Sequence, residues 1–270
     1  MMEQFMSLFQ YDFMILAFAA ILIIAPLFGV LGTMIVNNKM AFFSDALGHS
    51  ALTGIAVGVI CGIPDTSLAM VIFGVAFALL LNWIKSRNPA STDTIISVFS
   101  SCCIAISLAI LSRGGNFSKY SSLLLGDILS ITRREIVYLL LIFIATIIFW
   151  LVRYNRLQAV SLNRTLAKSR QFRIRLIENL FSVFIALIVM LSIKWIGILL
   201  INALLILPAA SSRNIAENVR EYHLFSIIFS LFSGILGLFV SYYTDMATGP
   251  MIVIFASVIF FATYFYGRNR

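Results

Sequence analysis

Residues 42–58 have the sequence FFSDALGHSALTGIAVG, in which a carboxylate and an imidazole interrupt a run of apolar and small residues. Asp45 and His49 are four residues apart, so on a helix they lie on the same face. Ionisable side chains are costly within a membrane-spanning helix, and they usually mark the path of an ion or a proton. The stretch therefore predicts a helix that presents one oxygen ligand and one nitrogen ligand in the same direction.

The composition of the whole chain indicates an integral membrane protein. Of its 270 residues, 61% are hydrophobic and 11% are charged, and the mean hydropathy is +1.03. A soluble domain has about 45–50% apolar and about 25% charged residues. Because no long polar stretch separates the apolar runs, we expect a single all-α membrane domain over residues 1–270. The predicted location is the cytoplasmic (inner) membrane, which the chain crosses several times.

Apolar runs long enough to cross a bilayer recur along the sequence. A spanning helix needs about 20 such residues. Nine runs qualify: 13–36, 44–62, 66–84, 94–112, 135–153, 176–194, 196–210, 222–243 and 248–267. The run 196–210 is short and ends at Pro208, and the semi-polar stretch 117–131 has the composition of a short helix that dips into the membrane. About nine spans are therefore predicted, with eight to ten left open.

Basic residues between the runs predict the orientation. The linker 153–175 is rich in Arg and Lys and contains no acid. Short basic loops stay on the cytoplasmic side, so the N-terminus is expected outside and the C-terminus in the cytoplasm. The net charge of +8 is then explained by topology and by anionic membrane lipid, and not by a nucleic-acid partner. The linker is either a solvated basic anchor or a helix on the inner leaflet.

Two interpretations of Asp45 and His49 are open. In one, the side chains bond to each other or to backbone and hold helices together. In the other, they form a transient site for a divalent transition metal; imidazole suits zinc and carboxylate suits manganese, so the pair selects neither ion. Two ligands are fewer than the four of a tight zinc site, but a transport path needs weak binding. Thr53, four residues after His49, is a weaker candidate for the same face.

A second pattern occurs where the run 196–210 ends. Small and polar residues follow Pro208, and Asn214 with Glu217 resembles the start of a short helix with a capping box. The segment 211–221 is either a short cytoplasmic helix that receives force from an ATPase or an ordinary loop, and spacing alone favours the loop. The candidate coupling residues are Arg213, Asn214, Ala216, Glu217 and Arg220.

Two further acids and a histidine stand near the ends of apolar runs. Asp127 follows Gly126, and a structural role as a helix cap is favoured over a place on the ion path. Asp245 precedes the turn-forming residues 248–250, and a helix cap is favoured over contact with a partner. His223 is expected to be an interfacial residue. The chain has no phosphate-binding loop, nucleophile elbow or zinc-protease motif, so an enzyme is not predicted.

These motifs, in this order, resemble those of the permease subunits of metal-ion ABC transporters. Residues 43–49 resemble the second span of that family and residues 125–129 resemble its Gly-Asp loop. Residues 197–210 match its Gly-x-Leu-Leu and Pro-Ala-Ala signature, and residues 241–250 match its Asp-x-Pro-x-Gly-Pro turn, with Ala247 where proline is usual.

The resemblance implies a subunit of an importer for zinc, manganese or iron, with the ion as cargo and no permanently bound cofactor. It further implies a homodimer of permeases, cytoplasmic ATPase subunits that hydrolyse the ATP, and an extracytoplasmic metal-binding protein. By the same resemblance, Asp45 and His49 line the metal path and residues 211–221 form the coupling helix. The alternative is a self-contained secondary cation transporter or channel, against which residues 211–221 and the absence of an evident inverted repeat both argue.

Overall fold

The computed structural model describes residues 11–38, 40–85, 92–113, 126, 128–162, 167 and 173–268, and these residues are almost all helical. The long helices are α1 Asp12–Asn37, α2 Ala41–Ile60, α3 Thr66–Lys85, α4 Thr92–Arg113, α5 Arg133–Leu162, α6 Ile174–Ile196, α7 Ile198–Ile215, α8 Val219–Thr244 and α9 Thr248–Arg268. A short 3-10 helix occupies Ile128–Ser130.

The predicted all-α architecture is confirmed within these residues, where nine helices are long and apolar enough to cross a bilayer. Hydropathy finds them because lipid offers no hydrogen-bond partners, so a spanning segment must pair its backbone internally as a helix.

Helix α5 departs from its predicted end. It continues past residue 153 to Leu162, so the first part of the basic linker is a continuation of the span. Arg, Leu, Gln and Ala are all good helix formers, and no Gly or Pro stops the helix there. Linker residues 163–166 and 168–172 lie outside the described residues, as does most of the predicted dipping segment 117–131.

The chain folds into two compact units, each assembled from separate stretches of sequence. Unit 1 contains Met1–Val36, Leu125–Trp150 and Trp195–Arg270, and unit 2 contains Asn37–Leu124 and Leu151–Lys194. Both consist mainly of membrane-length helices. The single permease domain over residues 1–270 stays a prediction.

In unit 2, α2 lies against both α3 and α4. Glycines on α2 allow the contact with α3: a Cβ added at Gly58 would lie 2.6 Å from the Cβ of Ala69, and one at Gly54 would lie 3.0 Å from the Cβ of Phe73. The absence of a side chain at Gly54 and Gly58 therefore lets α2 and α3 approach closely. Tight contact along one side of α2 leaves its polar pair on another side.

In unit 1, α7 contacts α8 and α9, which also contact each other. Helix α7 begins after Gly197, whose φ of 84° and ψ of 155° are accessible only to glycine. The expected stop at Pro208 is wrong, because Pro208 lies inside α7, which continues to Ile215. Membrane-depth helices tolerate such a proline when neighbouring groups satisfy the freed backbone.

Candidate functional site

The structure brings Asp45 and His49 together on one face of α2. The Nε2 atom of His49 is 3.6 Å from the Oδ1 atom of Asp45, and the side chains are 27% and 48% exposed, respectively. This distance exceeds hydrogen-bond length, and an ion pair forms only when the imidazole is protonated. The pair thus keeps an oxygen and a nitrogen close together and accessible.

The residues around the pair turn the other faces of α2 inward. Phe43, Ala46 and Leu47 are buried. Ser44 and Ser50 are buried as well, and their hydroxyls donate to the carbonyls of Ala41 and Leu47 in the same helix. Because these hydroxyls are engaged with their own helix, the exposed polar atoms of this stretch come from Asp45 and His49.

Thr53 does not extend this face, which corrects the prediction. Its side chain is 1% exposed, and its hydroxyl donates to the carbonyl of Cys103 on α4 at 2.8 Å. Four helical residues turn through about 400°, so a residue four positions further along points about 40° away from the first. Thr53 is eight residues beyond Asp45, and the accumulated rotation carries it into the contact between α2 and α4.

A tight metal site is not built by the described part of the chain. Among those residues, no group of three or more His, Cys, Asp or Glu side chains converges to hold an ion. Asp127, the other acid considered for the ion path, lies outside the described residues. One copy of the described chain therefore offers two adjacent ligands, which is the composition of a weak and transient site.

The predicted separate helix at 211–221 is not present. Helix α7 runs through Ile215, residues 216–218 form a short connection, and α8 starts at Val219. The N-cap is Asn218, whose side chain accepts from the backbone N–H of Glu221 at 2.9 Å. The Asn218–Glu221 pair has the same spacing as the predicted Asn214–Glu217 pair, so spacing could not decide between them.

The remaining candidates of this segment occupy different environments. Asn214 donates to the hydroxyl of Thr263 on α9 at 3.3 Å. Ala216 is half-buried, and its backbone N–H donates to the carbonyl of Ser212 at 2.9 Å. Arg213, Glu217 and Arg220 are exposed, so the segment presents mixed charges on its surface.

Asp245 is the C-cap residue of α8. It adopts the left-handed conformation, with φ 52° and ψ 32°, and its N–H donates to the carbonyl of Ser241. Aspartate is one of the few non-glycine residues that tolerate this conformation. The structure therefore favours the cap that the sequence suggested.

Two polar clusters were not found from the sequence. In unit 1, Nδ1 of His223 lies 2.7 Å from the hydroxyl of Thr33, so His223 is more than an interfacial residue. In unit 2, the side-chain amide of Asn82 donates to Asn179 Oδ1 at 3.1 Å and to Ser182 Oγ at 2.9 Å. The partners are far apart in sequence and form no motif, so no sequence signal pointed to either cluster.

Comparison with known proteins identifies relatives along nearly the whole chain. The model of the ABC 3 transport family matches residues 10–267. The high-affinity zinc uptake system membrane protein ZnuB of Haemophilus influenzae is 30% identical over 248 residues, which cover 90% of this chain and 92% of that protein. The manganese transport system membrane protein MntC of Listeria innocua is 24% identical over 264 residues, which cover 98% and 94%.

A solved structure has the same fold. PsaBC from Streptococcus pneumoniae in complex with Fab superposes with a TM-score of 0.84 at 24% identity, covering 98% of this chain and 95% of that chain. The similarity extends over nearly the whole chain, and at this identity it concerns the fold.

Proposed function

We propose a function for this chain from the premise that it belongs to the ABC 3 transport family: it is the membrane permease subunit of an ATP-binding-cassette importer for a divalent transition-metal ion, zinc or manganese. Family membership rests on the match over residues 10–267. Relatives named for zinc and for manganese, each aligned over at least 90% of this chain, support this class of cargo.

The Asp45–His49 pair is the observation that carries the proposal. Two ligands of one tetrahedral ion with bonds of about 2.1 Å lie about 3.4 Å apart. The separation of 3.6 Å between His49 Nε2 and Asp45 Oδ1 is close to that value, so both atoms reach one ion with little movement. Carboxylate and imidazole together accept zinc and manganese alike.

Two ligands give the weak binding that a path requires, and a second copy of the chain strengthens the site without closing it. In a homodimer, two carboxylates and two imidazoles face one symmetry axis. The two carboxylates balance a divalent charge. The ion then stays bound until the site closes to the side from which the ion entered, and it leaves when the site opens to the other side.

Two further partners follow from the same proposal. Cytoplasmic ATPase subunits hydrolyse the ATP, and an extracytoplasmic metal-binding protein delivers the ion, so the permease itself performs no covalent chemistry. The segment 211–221 is the proposed contact for the ATPase, through its exposed residues Arg213, Glu217 and Arg220. Movement of that contact alternates the access of the ion path between the two sides.

The proposed orientation in the cytoplasmic membrane has the N-terminus outside and the C-terminus inside. A cysteine at the exposed position Ala247, between α8 and α9, should react with an impermeant thiol reagent added to intact cells. A cysteine at the exposed position Asn155, in the basic part of α5, should not. The reverse labelling pattern would overturn the orientation.

Ion uptake by the reconstituted assembly tests the metal path. The permease and its ATPase are placed in liposomes with the metal-binding protein, and ATP-dependent entry of zinc and of manganese is measured separately. Asp45→Ala, His49→Ala and Asp45→Asn should each abolish uptake, because an amide does not balance the charge of the ion. Asp65→Asn is the matched control: it removes one carboxylate from unit 2, where Asp65 accepts from the backbone N–H of Ser67 at 2.8 Å, a bond that Asn also makes.

Wild-type uptake by both alanine variants would assign the pair a purely structural role. Loss of uptake in the Asp65→Asn control would show that any change of charge in this unit disturbs transport. The loss in the Asp45 and His49 variants would then no longer identify these residues as metal ligands.

A further inference from the structure

A chain of hydrogen bonds links three helix ends of unit 1 around the connection 216–218. Ser212, near the end of α7, donates its hydroxyl proton to the carbonyl of Tyr222 in α8 at 2.6 Å. The Tyr222 hydroxyl donates to the carbonyl of Thr33 near the end of α1 at 3.5 Å, and Nδ1 of His223 lies 2.7 Å from the Thr33 hydroxyl. Residues ten and about 190 positions apart in the sequence are thereby joined.

The direction of the His223–Thr33 bond follows from the other bond of the threonine. The Thr33 hydroxyl donates its single proton to the carbonyl of Val30 at 2.7 Å. Its oxygen is therefore left to accept, and Nδ1 of His223 is the donor. The bond thus requires the histidine tautomer that is protonated at Nδ1.

Aromatic neighbours fix the plane of the imidazole. The Trp150 ring stands edge-on to it, with centroids 5.7 Å apart and an interplanar angle of 87°. The Tyr222 ring lies 5.8 Å away at 35°. A ring held on two sides cannot turn away from Thr33 without disturbing its neighbours, so the contact between α8 and α1 is directional.

The connection is consequently clamped at both of its ends. The Ser212–Tyr222 bond crosses from the end of α7 to the start of α8, so the helix ends on either side of residues 216–218 move together. The exposed residues Arg213 and Glu217 lie between Ser212 and Tyr222 in the sequence. The same bonds connect this exposed surface to α8 and, through His223 and Thr33, to α1.

We infer that Thr33 and His223 are positioning residues that transmit movement of the segment 211–221 to helix α1. The inference rests on the proposed function, because it takes that segment as the contact for the ATPase. Neither residue touches the cargo, and their role is to keep α1 in register with α8 when the contact moves.

The test measures how much ATP is used for each ion taken up. The permease–ATPase assembly is reconstituted in liposomes, and ATP hydrolysis and zinc entry are recorded in the same vesicles, with manganese as a second probe. Thr33→Val keeps the shape of the side chain but removes the acceptor oxygen, and His223→Gln moves the amide donor to the position of Nε2. Both variants should raise the ATP consumed per ion at least about fivefold, the lower end of the range typical of coupling between sites.

Conservative variants separate positioning from general destabilisation. Thr33→Ser keeps the oxygen, and His223→Asn keeps an N–H donor near the position of Nδ1, so both should remain close to the wild-type ratio. Ser226→Ala is the matched control, because the Ser226 hydroxyl donates to the carbonyl of Gly29 at 2.8 Å and so joins the same two helices farther along. It should leave the ratio unchanged.

A wild-type ratio in Thr33→Val and His223→Gln would overturn the inference. An equal rise in Ser226→Ala would also overturn it, since any loosening of α1 from α8 would then have the same effect.

A second measurement does not depend on the cargo. Hydrogen exchange in the α1 peptide that contains Thr33 is compared in the assembly with and without a trapped nucleotide. The nucleotide should change exchange in the wild type and not in Thr33→Val. If the wild type moves neither ion, the proposed function fails while this measurement still decides the inference: a nucleotide response that survives in Thr33→Val overturns it.

Discussion

His49 and His223 are the two histidines of the chain, and they lie in contrasting surroundings. The neighbour of His49 is Asp45, four residues away on the same helix, at 3.6 Å and with 27% of the imidazole side chain exposed. His223 contacts Thr33, which is 190 residues away, at 2.7 Å, and Trp150 stands edge-on to its ring. A neighbour on the same helix leaves the first ring accessible, whereas tertiary partners commit the second ring to one position.

This difference separates the loss of a metal ligand from the loss of a tertiary contact. Removing an accessible side chain takes a ligand from the path but leaves the helix contacts intact. Removing a side chain with tertiary hydrogen bonds leaves buried polar groups without their partners, and that loss is felt by the whole fold. Variants of His49 should therefore lose ion entry without losing stability, whereas variants of His223 should lose stability and also use more ATP for each ion.

His49→Ala should have the largest effect, and on uptake alone. Loss of one of two ligands should abolish ATP-dependent metal entry. The free energy of unfolding should stay within about 0.5 kcal/mol of the wild type, as for other accessible positions. Uptake in liposomes and denaturant unfolding in detergent provide the two readings. A large loss of stability with this variant would contradict the proposed difference between His49 and His223.

His223→Ala should affect stability next most strongly. It leaves the Thr33 hydroxyl without its donor and opens a gap beside Trp150, so the free energy of unfolding should fall by about 1–3 kcal/mol. The same denaturant titration measures it, and His223→Asn should recover part of the loss. An unchanged unfolding midpoint would mean that the two histidines do not differ in the way proposed.

Asn218→Ala should cost about 0.5–2 kcal/mol, because it removes the N-cap of α8. Asn218→Asp is the matched control, since aspartate caps equally well and should remain near the wild type. This variant refines the comparison of the two histidines, because Asn218 contacts a residue close in sequence, as His49 does, but has a structural role. Equal stabilities for the alanine and aspartate variants would contradict the assignment of the cap.

Thr53→Val should have the smallest effect, about 0.5–1.5 kcal/mol, through loss of one hydrogen bond to the carbonyl of Cys103. Thr53→Ser should retain that bond. Uptake should stay at the wild-type level in both variants, which would make Thr53 a structural residue, unlike its helical neighbour His49. A selective loss of uptake in Thr53→Val would return this residue to the ion path.

The corrected end of α7 also changes what a proline would do there. If the segment 211–221 were the short helix that the resemblance implies, Ala216 would lie inside it, where proline costs about 3 kcal/mol. In the structure Ala216 is the C-cap residue with φ −73°, a value that proline adopts readily. The loss is then mainly the N–H bond to Ser212, together with the restriction that proline places on the preceding residue. Ala216→Pro is thus a milder test of coupling than the sequence suggested.

Hydropathy predicted the nine membrane-length helices of the described residues to within a few residues, except where α5 runs on to Leu162 and α7 runs through Pro208 to Ile215. The ends of a helix are harder to predict than its apolar span, because they depend on capping side chains and on contacts with neighbouring helices. The Asn214–Glu217 and Asn218–Glu221 pairs are equivalent in spacing, and only the fold chose the second.

The sequence by itself determined that the chain crosses a membrane as helices and that Asp45 and His49 share a face. Both follow from short-range rules: lipid forces each segment to pair its own backbone, and helical geometry relates residues four apart. Only the tertiary structure decided that Thr53 turns inward, that Asn218 begins α8 and that Thr33 holds His223. For Thr53 and His223 the outcome depends on which distant helix supplies the nearest donor or acceptor, and side chains find such partners only after the helices have assembled. For Asn218 it depends on where α7 ends, because two equivalent Asn–Glu pairs were available for the cap.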